Sequence, residues 1–271
     1  MKICFIGGGN MATALIGGLA DKVTPGSDIH VIDPNPAALE SLHTRFHVST
    51  AGQIDHAVAA SDVIVLAVKP QQMREVAAAL QPHLQASQLV LSIAAGIRAG
   101  DLSRWLNAHA AVVRAMPNTP ALIGKGITGL VATAGVSAEQ RADADRILRA
   151  VGTTVWLDDE ALIDPVTAVS GSGPAYVFYF IEAMQQAAQE LGLSAEQGIA
   201  LAKATFTGAA ELAAQSSEPV ALLRERVTSK GGTTYAALMS MEESGVKSAI
   251  IAAVKAAAQR GQQLGEEFGR D

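Results

Sequence analysis

The chain has 271 residues, enough for one large or two modest domains. Hydrophobic residues make up 49%, but Phe, Trp and Tyr supply only 4%, while Ala and Gly fill 76 positions, which favours closely packed helices and backbone-lined surfaces over aromatic cages. Basic residues number 20 against 26 acidic ones, the pI is near 5.5 and no basic block occurs, so nucleic acid is not an expected partner.

The chain opens on an apolar run, 2–7, with neither the long apolar core nor the cleavage site of a signal peptide. Cys4 within it is the one cysteine, so it forms no intramolecular disulfide and reads as a small buried strand residue. Further runs rich in Val, Ile and Leu at 28–33, 62–68, 88–94 and 110–116 read as strands. Between them, 11–21, 36–46, 70–84 and 98–107 carry apolar residues at helical spacing. Strands alternating with helices predict a parallel sheet covered on both faces. Segments 126–133, 137–150 and 153–157 add a strand, a helix and a strand at its edge.

After Asp158 the pattern changes to helices at 174–191, 194–214, 219–227, 233–243 and 246–268, with no strand among them. The expected architecture is therefore an α/β dinucleotide-binding domain of Rossmann type, 1–158, followed by an all-α domain, 159–271. The helical half is Ala-rich and short of large side chains, which predicts that it buries surface in a homodimer. Its longest charge-free apolar stretch, 165–181, is interrupted by Thr, Ser and Gly and falls short of a bilayer span, so no membrane association and a cytoplasmic location are expected. All six histidines lie before residue 110, and neither a metal site nor serine–histidine hydrolysis is expected.

Gly7, Gly9 and Ala12 form G-x-G-x-x-A between the first strand and the first helix. Gly7 permits the tight turn, Gly9 lets backbone approach a pyrophosphate, and Ala12 allows close helix–strand packing. The helix start at Asn10 and Met11 then turns its free N–H groups to the phosphates. Asp33 ends the second strand, where an acidic residue accepts from the adenosine ribose; electrostatics there lean to NAD, although Asn35 and backbone amides leave a 2′-phosphate open. Ala67, Val68, Lys69 and Pro70 end one later strand, and Ala94, Ala95 and Gly96 end the next. Both sets are expected to flank the nicotinamide end of the cofactor. Lys69 is either a ribose or substrate contact or a solvated loop lysine, and Asn118 either a polar contact near the reacting ring or a plain Asx turn. The run 170–176 reads as a Gly-Ser loop with Pro174 in the first helical turn. Ser229-Lys230-Gly231-Gly232-Thr233-Thr234 leads into a helix, either as a seat for a carboxylate or as a glycine hinge with a threonine cap.

Taken together, FIGGGNMA, AVKP, SIAAG, RAMPNTPA, SGSGPAYVF and SKGGTT, in this order from about Lys2 to Leu264, resemble the pyrroline-5-carboxylate reductases. The resemblance implies reduction of 1-pyrroline-5-carboxylate to L-proline, the last step of proline biosynthesis. The implied cofactor is NADPH, with NADH as the alternative. It implies a helical dimerisation domain and, in many members, a ring of five dimers. It places the substrate carboxylate on Ser229, Gly232 and Thr233 and makes the Thr234 hydroxyl the hydrogen-bond donor to the imine nitrogen. Two positions depart from the family pattern: Lys230 replaces a proline, and Asp33 stands where many relatives carry small polar residues. Two rival readings are a 3-hydroxyacid dehydrogenase, which wants a lysine that 174–191 lacks, and a non-catalytic NAD(P) sensor, which has no need of the anion seat.

Overall fold

A computed structural model describes residues 1–270. The strands are β1 (Ile3–Ile6), β2 (Ile29–Ile32), β3 (Ser49–Ala51), β4 (Val63–Leu66), β5 (Leu89–Ser92), β6 (Val112–Met116), β7 (Gly126–Ala132) and β8 (Gly152–Trp156). They form one sheet in the order β3-β2-β1-β4-β5-β6-β7-β8. The first six are parallel, and their order reverses beside β1, which pairs with both β2 and β4. In such a sheet the ligand crevice lies beyond the carboxyl ends of the strands at this reversal.

Helices α1 (Asn10–Leu19), α2 (Pro36–Phe46), α3 (Met73–Leu80), α4 (Ala99–Trp105) and α5 (Ala138–Arg149) cover the sheet. The two-residue period of the strands sorts the core. Ile3 and Phe5 of β1 pack with Leu15, Ile16 and Ile147 on one face, while Cys4 and Ile6 pack with Met73, Leu80 and Leu102 on the other. Because the strands are buried on both sides, their sequences read as unbroken apolar runs.

The sequence pattern shows no strand at β3 and leaves the direction of the edge strands open. In the structure β7 runs antiparallel to β6, and β8 is parallel to β7. No helix separates β6 from β7, only a short 3-10 turn over Thr119–Ile123, so the chain has no crossover with which to return in parallel.

The remaining helices are α6 (Ile163–Val166), α7 (Gly173–Glu190), α8 (Ala195–Gln215), α9 (Val220–Arg226), α10 (Thr233–Glu243) and α11 (Val246–Gly269). Ser194 opens α8 with a reciprocal capping box to Gln197. The expected loop at 170–173 is instead wound: a π-helical turn, Thr167–Gly171, joins α6 to α7, with Ser172 N–H donating to the Thr167 carbonyl at 2.8 Å. Its serine is spent locally, the Ser170 hydroxyl donating to the Val166 carbonyl.

Contacts divide the chain into two compact units. One comprises Met1–Ser172 together with the chain from Ala256 onward, and the other is Gly173–Lys255. The division thus falls after the π turn and assigns the end of α11 to the sheet unit, in contrast to a single break after Asp158. Within the helical unit α7, α9 and α10 bury none of their residues, and α8 buries only Gly198 and Ala202. No helix among the described residues is long and apolar enough to cross a membrane.

Cys4 is fully buried in β1, and burial, helped by the negative charge of Asp55, pushes its thiol from 9.0 up to about 12. The folded thiol keeps its proton where the unfolded one releases it, so Cys4 supports the fold below pH 9.0 and withdraws that support as pH rises toward about 12. The loss is on the order of 1 kcal/mol at about pH 10. Urea titrations of wild type and Cys4→Ala at about pH 8 and about pH 10 will show a smaller alkaline loss in the variant, and the native thiol will resist a thiol reagent that labels the unfolded chain fully.

Candidate functional site

The carboxyl end of β1 runs into Gly7, whose φ of +103° suits glycine, and a Cβ there would lie 2.7 Å from the Ala67 carbonyl oxygen. Gly8 is buried beneath the turn and its N–H donates to Asp33 Oδ2 at 2.7 Å. Gly9 then starts α1 with extended backbone and no side-chain cap, so the first-turn N–H groups of Asn10, Met11 and Ala12 lack helical partners. A Cβ at Gly9 would meet no atom within 4 Å. Ala12 is buried between helix and sheet. These features form a concave, donor-rich surface with the positive end of the α1 dipole behind it, suited to a diphosphate.

This surface opens into a cleft of about 640 Å³ at the reversal of strand order. Of the residues expected to bind a dinucleotide, Gly7, Gly9, Asp33, Asn35, Ala67, Val68 and Lys69 line it. Gly52 and Gln53 after β3, and Gln72 and Glu75 around the start of α3, line it as well and were not read from the sequence. Gln53 was hidden because β3 has only three residues, none of them strongly apolar.

Several expected positions do not line the cleft. Pro70 opens a 3-10 turn, and Ala94 is buried. Neither Ala95 nor Gly96 is among the lining residues; Gly96 has φ +74°, and a Cβ on it would lie 3.1 Å from the Phe268 ring. Asn118 is buried with both ends of its amide engaged: Oδ1 accepts from Ile127 N–H at 3.0 Å and Nδ2 donates to the Ser170 carbonyl at 3.1 Å. In a continuous α-helix the Ser170 carbonyl would accept from residue 174, but that residue is proline and has no N–H. Asn118 supplies the missing donor.

Beside this, Arg114 of β6 is a buried cation held by Glu160 at 2.9 Å and Asp164 at 3.7 Å. Glu160 also accepts from the Ala99 N–H at the start of α4. The cluster ties β6, α4 and α6 together. Among the described residues no group of His, Cys, Asp and Glu is arranged to hold a metal ion.

In the helical unit, Ser229, Lys230 and Gly231 are exposed and lead to α10. Gly231 has φ +75°, and the Gly232 N–H donates to the Ser229 carbonyl at 3.0 Å, which closes a tight turn. The cap residue of α10 is Gly232, not a threonine, and no side chain caps the helix. The N–H groups of Thr233, Thr234 and Tyr235 are therefore left to a ligand or solvent, with the hydroxyls of Ser229, Thr233 and Thr234 carried on the same short segment. A Cβ at Gly232 would lie 2.7 Å from Ser229 Oγ, so glycine there lets the serine fold over the helix start.

Residues 160–264 match the family model for pyrroline-5-carboxylate reductase dimerisation, and residues 2–96 match one described as NADP oxidoreductase, coenzyme F420-dependent. The pyrroline-5-carboxylate reductase of Pseudomonas aeruginosa is 48% identical over 249 residues, covering 92% of this chain and 91% of that protein. The solved structure of a pyrroline-5-carboxylate reductase from Coxiella burnetii is 38% identical with a TM-score of 0.91, covering 97% of this chain and 98% of that one. The Plasmodium falciparum pyrroline carboxylate reductase, solved with NADP bound, is 30% identical with a TM-score of 0.86 and 98% coverage of both chains.

Because a methyl group at Gly9 has open space in the free chain, Gly9→Ala will leave stability within about 1 kcal/mol of wild type. The same methyl obstructs a diphosphate on the helix start, so affinity for the reduced dinucleotide will fall at least about tenfold. Thermal melts and a fluorescence titration read the two effects separately.

Proposed function

The chain belongs to the pyrroline-5-carboxylate reductase family, and from that premise we propose how its residues reduce 1-pyrroline-5-carboxylate to L-proline with NAD(P)H. The observation that carries the residue assignment is the uncapped start of α10 behind Gly231 and Gly232, a carboxylate seat in a chain whose other unit carries a dinucleotide cleft.

The cleft fits the cofactor through its own features: the open space over Gly9, the uncapped first turn of α1, and the Asp33 carboxylate beside the glycine turn. Amides of Gly9, Asn10 and Met11 hold the diphosphate, and Asp33, Asn35 and Gln53 border the adenosine end. Val68 and Lys69 border the opposite side of the cleft. When bound, the reduced nicotinamide supplies a hydride. Pro70, Ala94, Ala95, Gly96 and Asn118 keep supporting parts, holding the strand ends from which the cleft is built.

Ser229, Gly232 and Thr233 bind the substrate carboxylate through hydroxyl and backbone donors. The Thr234 hydroxyl, one residue further along the same helix start, donates to the imine nitrogen and orients it. A threonine hydroxyl is too weak an acid to protonate the nitrogen near neutral pH, so the proton comes from water or arrives on the iminium form of the substrate. The chain has no histidine after residue 109 to take that part. Catalysis is then chiefly positioning, with the barrier lowered by fixing two reactants in register.

Homo-oligomerisation accords with the dimerisation model and with helices that bury almost nothing in the single chain. Phe178 is 65% exposed, Tyr179 72% and Leu191 85%, surface that a second copy would cover. A ring of five dimers extends the reading on resemblance alone. The lone unpaired cysteine suits a reducing cytoplasm. A 3-hydroxyacid dehydrogenase is disfavoured because α7 carries no lysine to act as a base.

Thr234→Ala will lower kcat/KM by at least about tenfold, about 1.4 kcal/mol of transition-state stabilisation; unchanged kinetics would remove Thr234 from the mechanism. The decarboxylated imine 1-pyrroline will be a far poorer substrate, and equal turnover would overturn the carboxylate seat. Light scattering will give a dimer or a multiple of it, whereas the 27.9 kDa of one chain would contradict the oligomer.

A further inference from the structure

We infer that Asp33 makes this chain select NADH over NADPH. The inference rests on the dinucleotide reading of the cleft and goes beyond it to which of the two cofactors is favoured.

Asp33 follows β2 and its carboxylate is fixed on both sides. Oδ2 accepts from the Gly8 N–H at 2.7 Å, and Oδ1 accepts from the Asn35 N–H at 2.8 Å. A carboxylate held by two backbone donors cannot swing aside to admit another anion, since doing so would strand both N–H groups. Each oxygen still has a lone pair for a ribose hydroxyl. A 2′-phosphate on the same ribose would instead bring a second negative group against the first.

No cation on that wall offsets the repulsion. Beyond β2 the cleft is lined by Pro34, Asn35, Gly52, Gln53 and Ile54, with neither Lys nor Arg among them. Lys69, the one cation lining the cleft, follows β4, on the opposite side of β1 from the β2 end. Glu75, of the opposite charge, lines the cleft too. Backbone donors are equally scarce. The start of α2 would ordinarily seat a phosphate, but the Asn35 N–H is taken by Asp33, residue 36 is proline, and the Ala37 N–H donates to Asn35 Oδ1 at 3.1 Å.

The test is calorimetric titration of the full-length protein with NADH and NADPH, without substrate. NADPH will bind at least about tenfold more weakly at low salt, and the gap will narrow between about 0.02 M and about 0.5 M salt as the repulsion is screened. Asp33→Asn, which keeps the size and one acceptor, will tighten NADPH and weaken NADH, shrinking the ratio of the two dissociation constants. Equal affinities in wild type, a ratio indifferent to salt, or a variant that shifts both cofactors by one factor would overturn the selectivity while leaving the dinucleotide reading intact. Failure of wild type to bind either would overturn that reading itself.

Discussion

Across the ends of β1 and β2, the Gly8 N–H and the Asp33 carboxylate lie 2.7 Å apart, and this bond shapes the cleft at the reversal of strand order. A hydrogen bond to a charged acceptor contributes about 1.5 to 3 kcal/mol, more than the neutral bonds around it. It draws the middle glycine down into the fold, which leaves Gly9 outermost and aims the start of α1 outward. The same carboxylate holds Asn35, and Asn35 caps α2. One side chain thus sets the entry of two helices that flank the crevice.

Where the sequence carries a strong period, the fold could be read from it. The apolar strands and the helices between them follow from burial on two faces, which leaves little freedom in what the residues are. β3 was not legible because Ser49, Thr50 and Ala51 are ordinary in a loop and become a strand only by pairing with β2. The direction of β7 was not legible either, since alternation is the same whichever way a strand runs. The serines and glycines at 170–173 look like a loop locally, and only the hydrogen bonds of the π turn and the clamp from Asn118 make them helical.

The site shows the same division. Gly7, Gly9 and Asp33 were legible as residue types at the required spacing, because turn geometry admits few alternatives. What the carboxylate touches was not, since hydrogen-bond direction depends on backbone that the pattern does not encode. Asn118 illustrates the opposite outcome: a polar residue placed near the chemistry by its position in the chain has both ends of its amide engaged by the protein itself. The α10 start lies between, with its glycines legible and its missing side-chain cap evident only in three dimensions.

Pro174 removes a backbone donor from the helix, and the amide of Asn118 restores it from a distant segment. The two residues act on one carbonyl, that of Ser170. A proline without the asparagine would strand a carbonyl, and an asparagine without the proline would compete with a helix that already satisfies itself. The RAMPNTP and SGSGP segments therefore behave as a lock and its key inside one chain. Descendants of this sequence would be expected to keep both residues or to exchange both, and a graft that carried one segment into a foreign scaffold would need the other.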